Sequence, residues 1–409
     1  MTEISYRNQK LSIESVPVMS LIKKIPTPFY LYSQKQIELN FTRFKSIFKK
    51  VNPIICFSVK SNSNPSILKL LKNLGSGADV VSQGELLRAL NAGIKPNKIV
   101  FSGVGKSEDE IKFAIKKRIL LINAESESEV NLINRLSRER KKKTSIGLRL
   151  NPNIKAETHK KISTGKADDK FGLSKKDLIN ICKKIEKLKY VDLNSISVHI
   201  GSQILNEIPF NKTLKVIEQV LNKTKIKLKY IDLGGGFGIS YNQNDKNIRL
   251  KNYPKLVNRF RKKFNCKIIF EPGRAIVGNS GILISKIQYI KQTKAKNFII
   301  LNTGMNDFMR PALYDAQHEI IPIFKNKLKI NKNIEFVGPI CETSCKFRNY
   351  KRYQYLSEND FVAIKDVGAY GSVLSSNYNS KPLIAEILVN RRKFKIIRKK
   401  QDLNKLIKY

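Results

Sequence analysis

The run NPIICFSVKSN (52–62) sets Lys60 at the close of a short apolar stretch rich in branched side chains. Such a stretch reads as a buried strand. An amine at its end is costly unless it stays hydrated or takes part in chemistry. In YIDLGGGFGIS (230–240), Gly234, Gly235 and Gly236 follow another apolar run. Three successive glycines expose backbone N–H groups without side-chain obstruction, so this loop is either a phosphate cradle or a tight turn. It has neither the G-x-G-x-x-G spacing nor the Gly-Lys-Ser/Thr ending of a P-loop. In FEPGRAIVGNSG (270–281), Glu271 is followed by a Pro272–Gly273 turn and Arg274. The two charges either pair with each other or serve a site in which the turn holds a phosphate. SVHIGSQ (197–203) adds His199 and Ser202. The ring is either a satisfied core side chain or a flat surface for an aromatic ligand, with the hydroxyl in reach of a phosphate.

Further along, MNDFMRPALYDAQHEI carries Arg310 and Tyr314 four residues apart. On a helical turn they face one direction and together could grip a carboxylate. GPICETSCKF places Glu342 beside Cys341, and VGAYGSVLSSNYNSKP holds Tyr370 between a small residue and a glycine, in a turn. The chain has 5 cysteines and 3 histidines. Cys341 and Cys345 lack zinc-ligand spacing, so neither a disulfide framework nor a structural metal site is expected.

Something must position these groups. Between residues 54 and 271 one pattern recurs: a short apolar run, a polar residue, then an amphipathic stretch. The runs are IICFSVK, ADVVS, KIVFSG, LLINAES, SIGLRLN, SISVHIGS, YIDLGGG and KIIFEPGR. Eight strand–helix alternations are what a closed (β/α)8, TIM-like barrel requires; a doubly wound open sheet is the alternative. Lys60, Asp79, Ser102, Asn123, Arg149, His199, Asp232 and Glu271 all fall at or near the C-terminal ends of these runs. In a barrel those ends converge on one face, where active sites are built. After about residue 280 the runs are strand-like with few helical periods between them, which predicts an all-β C-terminal domain. The expected division is an N-terminal strand segment at 1–28 joining the β-domain, a barrel at 29–278 and the β-domain at 279–409.

The formal charge of +45 in 409 residues raises the question of nucleic acid. The excess is spread from end to end, and there is no recognition helix, zinc-finger spacing or aromatic–basic RNA motif. Solvated lysine faces and a general compositional bias account for it, so nucleic acid is not an expected partner. No apolar run approaches the ~20 residues of a membrane span, and the N-terminal stretch lacks the apolar core of a secretory signal, which reads as cytoplasmic.

Taken together, FSVKSN, GADVVSQGEL, NPNIKAETHKKISTGKADDKFGLS, HIGSQ, DLGGGFGI, EPGRAIVGNSG, MNDFMRPALYDAQHEI, CETSC and AYGSVLSSNYNSKP make a chain that resembles the fold-type III pyridoxal-phosphate-dependent decarboxylases over nearly its whole length. The THKKISTG and RPALYDAQHEI segments resemble the branch of that family acting on meso-2,6-diaminopimelate rather than on ornithine or arginine. The resemblance implies a barrel followed by a β-domain, pyridoxal 5'-phosphate as cofactor, and conversion of meso-diaminopimelate to L-lysine and CO2, the last step of lysine biosynthesis. Lys60 matches the residue that joins the cofactor as a Schiff base; burial favours the neutral amine this needs. Glu271 matches the partner of the pyridine nitrogen, and His199 the ring-stacking histidine. Asp79, Ser202, Gly234–Gly236, Pro272, Gly273, Arg274 and Tyr370 complete the implied cofactor site. Arg274, Arg310, Tyr314, Glu342 and Tyr370 match the substrate-binding set, and Cys341 the proton donor, since a thiol can deliver a proton near neutral pH. The family's cysteine segment reaches a neighbouring subunit's site, implying a homodimer with shared sites. One departure is Cys345, where the family usually carries aspartate.

Overall fold

The computed structural model describes residues 3–155, 164–165, 168–241 and 248–408. The chain forms two units: Met1–Asn40, Ser240–Asp245 and Ile276–Tyr409 make one, Phe41–Ile239 and Lys246–Ala275 the other. Among the described residues, the second unit holds eight strands in a closed barrel: β1 (Ile54–Ser58), β2 (Gly77–Val80), β3 (Ile99–Phe101), β4 (Leu121–Ala124), β5 (Thr144–Arg149), β6 (Val191–Ser197), β7 (Tyr230–Asp232) and β8 (Lys267–Phe270). Every neighbouring pair is parallel, and β8 returns to β1 through Ile269–Ile54 and Phe270–Ile55. Closure excludes the open sheet. Each strand overlaps one of the apolar runs, though β6 begins four residues before its run, at Val191.

Side chains two apart on a strand share a face. Cys56, Val100, Leu121 and Ile269 form a buried apolar layer inside the barrel. Two residues on, the same strands and their ends carry Ser58, Ser102, Asn123 and Glu271, while Asp232 lies two residues beyond Tyr230, which packs on that layer. An apolar layer is therefore followed, toward the C-terminal ends, by a polar one. Packing is tight there: a Cβ on Gly147 would come within 2.2 Å of the Asn123 amide oxygen.

The strand-to-helix loops stop sharply because their last residue caps the next helix. Ser82, Ser107, Ser126 and Ser174 each accept a hydrogen bond from the backbone N–H three residues on, and an acidic residue occupies that third position every time. The hydroxyl satisfies an otherwise orphaned donor and the carboxylate suits the positive helix end, together ~1 kcal/mol or more per helix.

The first unit is β-rich. Its large sheet runs Lys346–Tyr350, Ile334–Val337, Asn297–Leu301, Gly281–Gln292, Phe29–Ser33, Ala385–Asn390 and Lys393–Arg398, with Ile320–Pro322 and Phe361–Ile364 joined off that path. The N-terminal strands Ile4–Arg7, Lys10–Ile13 and Val16–Pro17 form a small sheet whose Leu11 and Ile13 pack into a core with Leu31, Ile282 and Ile387. The barrel was expected to begin at residue 29. Instead Phe29–Ser33 is a central strand of the large sheet, antiparallel to Gly281–Gln292 and parallel to Ala385–Asn390. A fully apolar run looks the same in a barrel as in the middle of a covered sheet, so only the partners decide. No helix among the described residues is long and apolar enough to cross a membrane.

Candidate active site

The polar layer opens into a cavity of about 290 Å³ whose lining includes Lys60, Arg149, Phe171, His199 and Glu271. β1 ends at Ser58, and Lys60 sits on the single 3-10 turn Val59–Ser61 that follows it. Its amine meets Asp79 Oδ2 at 2.7 Å, and the same oxygen accepts from Ser58 Oγ at 2.7 Å. Asp79 is wholly buried at the end of β2. Its second oxygen has no hydrogen-bond partner among the described residues.

His199 follows β6. Its Nδ1 accepts from the Gly235 N–H at 3.3 Å, and Thr164 Oγ1 donates to its carbonyl at 2.8 Å. Desolvation, and then the Lys60 and Arg149 cations, hold the imidazole well below its usual range. It is neutral at pH 7, a flat ring free to lie against an aromatic system.

Three carboxyls crowd the interior: Asp79, Asp232 and Glu271. Burial pushes the Glu271 carboxyl well above its ordinary range, and Asp232 and then Asp79 add to the rise. Burial likewise pushes Asp232 up to about 6. Glu271 Oε1 is buried without a hydrogen-bond partner among the described residues. A lone acceptor on a raised carboxyl suits a nitrogen base that can share a proton.

Gly234 and Gly236 have φ of +64° and +90°, which side-chained residues rarely adopt. A Cβ on Gly235 would fall 2.2 Å from the Glu271 carbonyl oxygen. The loop is pinned behind by Phe237, stacked on Phe210 at 4.9 Å and edge-on to Phe44 at 5.1 Å. Beside it Arg274 Nη2 donates to Ser202 Oγ at 2.9 Å, so these two predicted residues come together. The alternative pairing of Arg274 with Glu271 is not among the ion pairs of the described residues. Gly273 has a tight neighbour of its own, with Ser61 2.9 Å from a Cβ built there.

The remaining predicted residues belong to the β-rich unit. Arg310 and Tyr314 begin and end one helical turn, Arg310–Tyr314. The buried Arg310 donates from Nη1 to Tyr241 Oη at 2.7 Å and lies over that ring. Cys341 is exposed and Cys345 buried. Cys345 Sγ accepts from the Met305 N–H at 3.3 Å, occupying the place of the expected aspartate with a weaker acceptor, and burial pushes its thiol up. Glu342 accepts from Tyr378 Oη and Ser344 Oγ, which hold its exposed carboxyl below the usual range. Tyr370 has a φ of +57°, an outlying conformation for a bulky residue and the kind of strain that clusters at functional sites.

Sequence reasoning passed over several contributors. Glu125 pairs with Arg149 at 2.7 Å, and the Arg149 guanidinium lies 4.8 Å from the Phe171 ring centroid. Tyr241 and Tyr378 hold Arg310 and Glu342. A polar residue at a strand end did point to Arg149; nothing local points to Phe171 or Tyr378. Residues 156–163 and 166–167 of the segment used for the resemblance lie outside the described residues.

Residues 34–278 match the model of the pyridoxal-dependent decarboxylase family's pyridoxal-binding domain. The chain is 38% identical to diaminopimelate decarboxylase of Aquifex aeolicus over 99% of this chain and 96% of that one. Against the Helicobacter pylori enzyme the identity is 42%, over 94% and 96% of the two chains. The crystal structure of the H. pylori decarboxylase complexed with L-lysine superposes with a TM-score of 0.91 at 41% identity, covering 95% of this chain and 98% of that one. The M. jannaschii decarboxylase in co-complex with L-lysine gives 0.93 at 32% identity, over 100% and 98%.

The chain belongs to the diaminopimelate decarboxylase family. Like the other diaminopimelate decarboxylases it is a pyridoxal-phosphate-dependent carboxy-lyase. The site fits the cofactor on its own terms: a lone buried acceptor for a ring nitrogen, a neutral imidazole for the ring face, and a glycine loop that no side chain could share.

Proposed function

We propose that this chain converts meso-2,6-diaminopimelate to L-lysine and CO2, the last step of lysine biosynthesis, with pyridoxal phosphate anchored covalently at Lys60. The observation that carries the assignment of residues is the convergence of Lys60, His199 and Glu271 on one cavity in which Glu271 Oε1 has no hydrogen-bond partner among the described residues. The cofactor, when bound, supplies the electron sink for the pair left by departing CO2. Glu271 holds the ring nitrogen, His199 packs on the ring, and Asp79 fixes the Lys60 amine. Ser202, Gly234–Gly236, Pro272, Gly273, Arg274 and Tyr370 hold the phosphate.

Arg274, Arg310, Tyr314 and Tyr370 grip the distal carboxylate of the substrate and Glu342 its distal ammonium, leaving the D-configured end over the cofactor. A substrate with only an amine at the distal end would leave the arginines unsatisfied, at ~1–3 kcal/mol or more for each buried charge. Ornithine should therefore be turned over at least tenfold less efficiently. Cys341 delivers the proton to the reacting carbon. In this reading the enzyme works in the cytoplasm as a homodimer whose subunits share sites.

The test is purified protein with cofactor and meso-diaminopimelate, CO2 and lysine being followed together with ornithine in parallel. Preferential turnover of ornithine, or a borohydride-stable cofactor on a residue other than Lys60, would refute the proposal. Light scattering checks the dimer.

A further inference from the structure

Tyr241 has no part in the roles above, yet it holds one of the residues that do. The buried Arg310 donates from Nη1 to Tyr241 Oη at 2.7 Å, and its Cζ lies 4.9 Å from the centroid of the same ring. The two residues are 69 apart in the chain and belong to the same β-rich unit. Tyr241 is braced in turn. Its ring is edge-on to His318 at 4.8 Å, and His318 is edge-on to Phe308 at 4.7 Å. His318 and Phe308 are both buried, and His318 Nδ1 lies 2.7 Å from the Lys365 carbonyl oxygen. A carbonyl only accepts, so Nδ1 carries the hydrogen and the imidazole cannot turn over without losing that bond. The backbone is fixed as well. Just before the helical turn that Arg310 opens, the Asp307 carboxyl accepts from the Gly304 N–H at 3.0 Å and from Thr303 Oγ1 at 3.1 Å.

The chemistry of the brace matters. A phenol oxygen and a ring face hold a guanidinium in one plane without cancelling its charge, as a carboxylate in the same place would. A guanidinium fixed along one edge presents its other N–H groups in the fork that matches a carboxylate. The entropy of ordering this long side chain is then lost on folding and not again on binding.

We infer that Tyr241 is a positioning residue for substrate selection: by holding the Arg310 guanidinium ready for an anion, it sets the preference for substrates with a carboxylate at the end remote from the cofactor. The inference rests on Arg310 gripping that carboxylate, as proposed above.

The experiment titrates the holoenzyme with two molecules that differ by one carboxylate, L-lysine and 1,5-diaminopentane. Tyr241→Phe keeps the ring and removes the acceptor, leaving a buried N–H of Arg310 without that partner. Its affinity for L-lysine should fall about tenfold, while its affinity for 1,5-diaminopentane stays at the wild-type value. In steady-state kinetics the KM for meso-diaminopimelate should rise by about the same factor, with kcat held within about threefold. Arg310→Gln is run alone and combined with Tyr241→Phe. In the combined variant Tyr241→Phe should cost L-lysine binding nothing more, because the group it positions is gone. L-Lysine binding that Arg310→Gln weakens and Tyr241→Phe does not would overturn the inference and leave Arg310 as the carboxylate's partner. Equal losses for the two ligands in Tyr241→Phe, or losses that add in the combined variant, would likewise reduce Tyr241 to a general support of the fold. L-Lysine binding unaffected by Arg310→Gln would overturn both the inference and the reading beneath it.

Discussion

The amine of Lys60 lies 2.7 Å from an Asp79 oxygen that is wholly buried, while 33% of the lysine side chain remains accessible. A strand end joined to a 3-10 turn makes this possible: β1 delivers the chain to the polar layer and the turn aims the amine back at β2. Asp79 fixes the amine and Lys60 lines the cavity, as a nucleophile in a binding site requires.

Lys60→Ala should therefore abolish the borohydride-stable link to the cofactor and lower turnover on the order of a thousandfold or more. Peptide mapping of the reduced holoprotein checks the first outcome and lysine release the second. The variant also strands a buried carboxylate, but with the lysine partly exposed the stability loss should be about 1–2 kcal/mol.

Glu125, just after β4, and Arg149, at the end of β5, are buried 2.7 Å apart, and Glu125 Oε2 also accepts from the Gly172 N–H at 3.0 Å. Glu125→Gln would leave the guanidinium buried against a neutral partner. A loss of ~3 kcal/mol or more in urea unfolding is expected. Because Arg149 lies over Phe171, cofactor affinity should weaken with it; unchanged affinity would mean that the pair only stabilises the barrel.

Gly235→Ala puts a methyl group 2.2 Å from the Glu271 carbonyl, a backbone atom that cannot swing aside. The turn must move, and with it the carboxyl that follows β8. Pyridoxal phosphate affinity should fall at least tenfold, about 1.4 kcal/mol. Gly105→Ala, with open space around its Cβ, is the control and should bind normally.

The barrel was legible because each of its strands overlaps a short apolar run closed by a polar residue, and residues of that polar layer line the cavity. Lys60, His199 and Glu271 were among the strand-end residues this pattern singled out, and the family resemblance gave them their expected roles. What joins them was not legible. The Glu125–Arg149 pair depends on how two strand ends line up, and the Arg149–Phe171 contact on a residue well beyond the strand; neither leaves a local signal. Phe29–Ser33 shows the complementary failure: expected within the barrel, it joins a sheet set by partners far away in sequence.

Burial pushes Glu85 up to about 7, although the Val81 N–H donates to it at 2.9 Å. The folded chain thus keeps a proton that the unfolded chain, titrating near ~4.3, has lost. Stability from this group is complete below that lower value and is lost as pH rises through 7. Asp366, also raised to about 7, acts with the same sign. Glu85→Gln cannot titrate, so relative to wild type it should gain about 1–2 kcal/mol between pH 5 and 7.5, allowing for partial solvent contact. Urea midpoints at the two pH values check this; parallel curves would refute it.

Cys341 is the one exposed thiol of the five, since Cys56, Cys182, Cys266 and Cys345 are all buried. Brief treatment of the folded protein with iodoacetamide should therefore add one equivalent, at Cys341. If this thiol supplies the proton to the reacting carbon, alkylation must stop lysine release while leaving the cofactor attached at Lys60, because no cofactor contact is lost. Cys341→Ala should behave the same way, with release slowed on the order of a hundredfold or more. The two losses come apart if Cys341 merely lines the site: the bulky adduct would then inhibit by obstruction and the alanine variant would stay active. Lysine release by Cys341→Ala at the wild-type rate would assign the proton to another group.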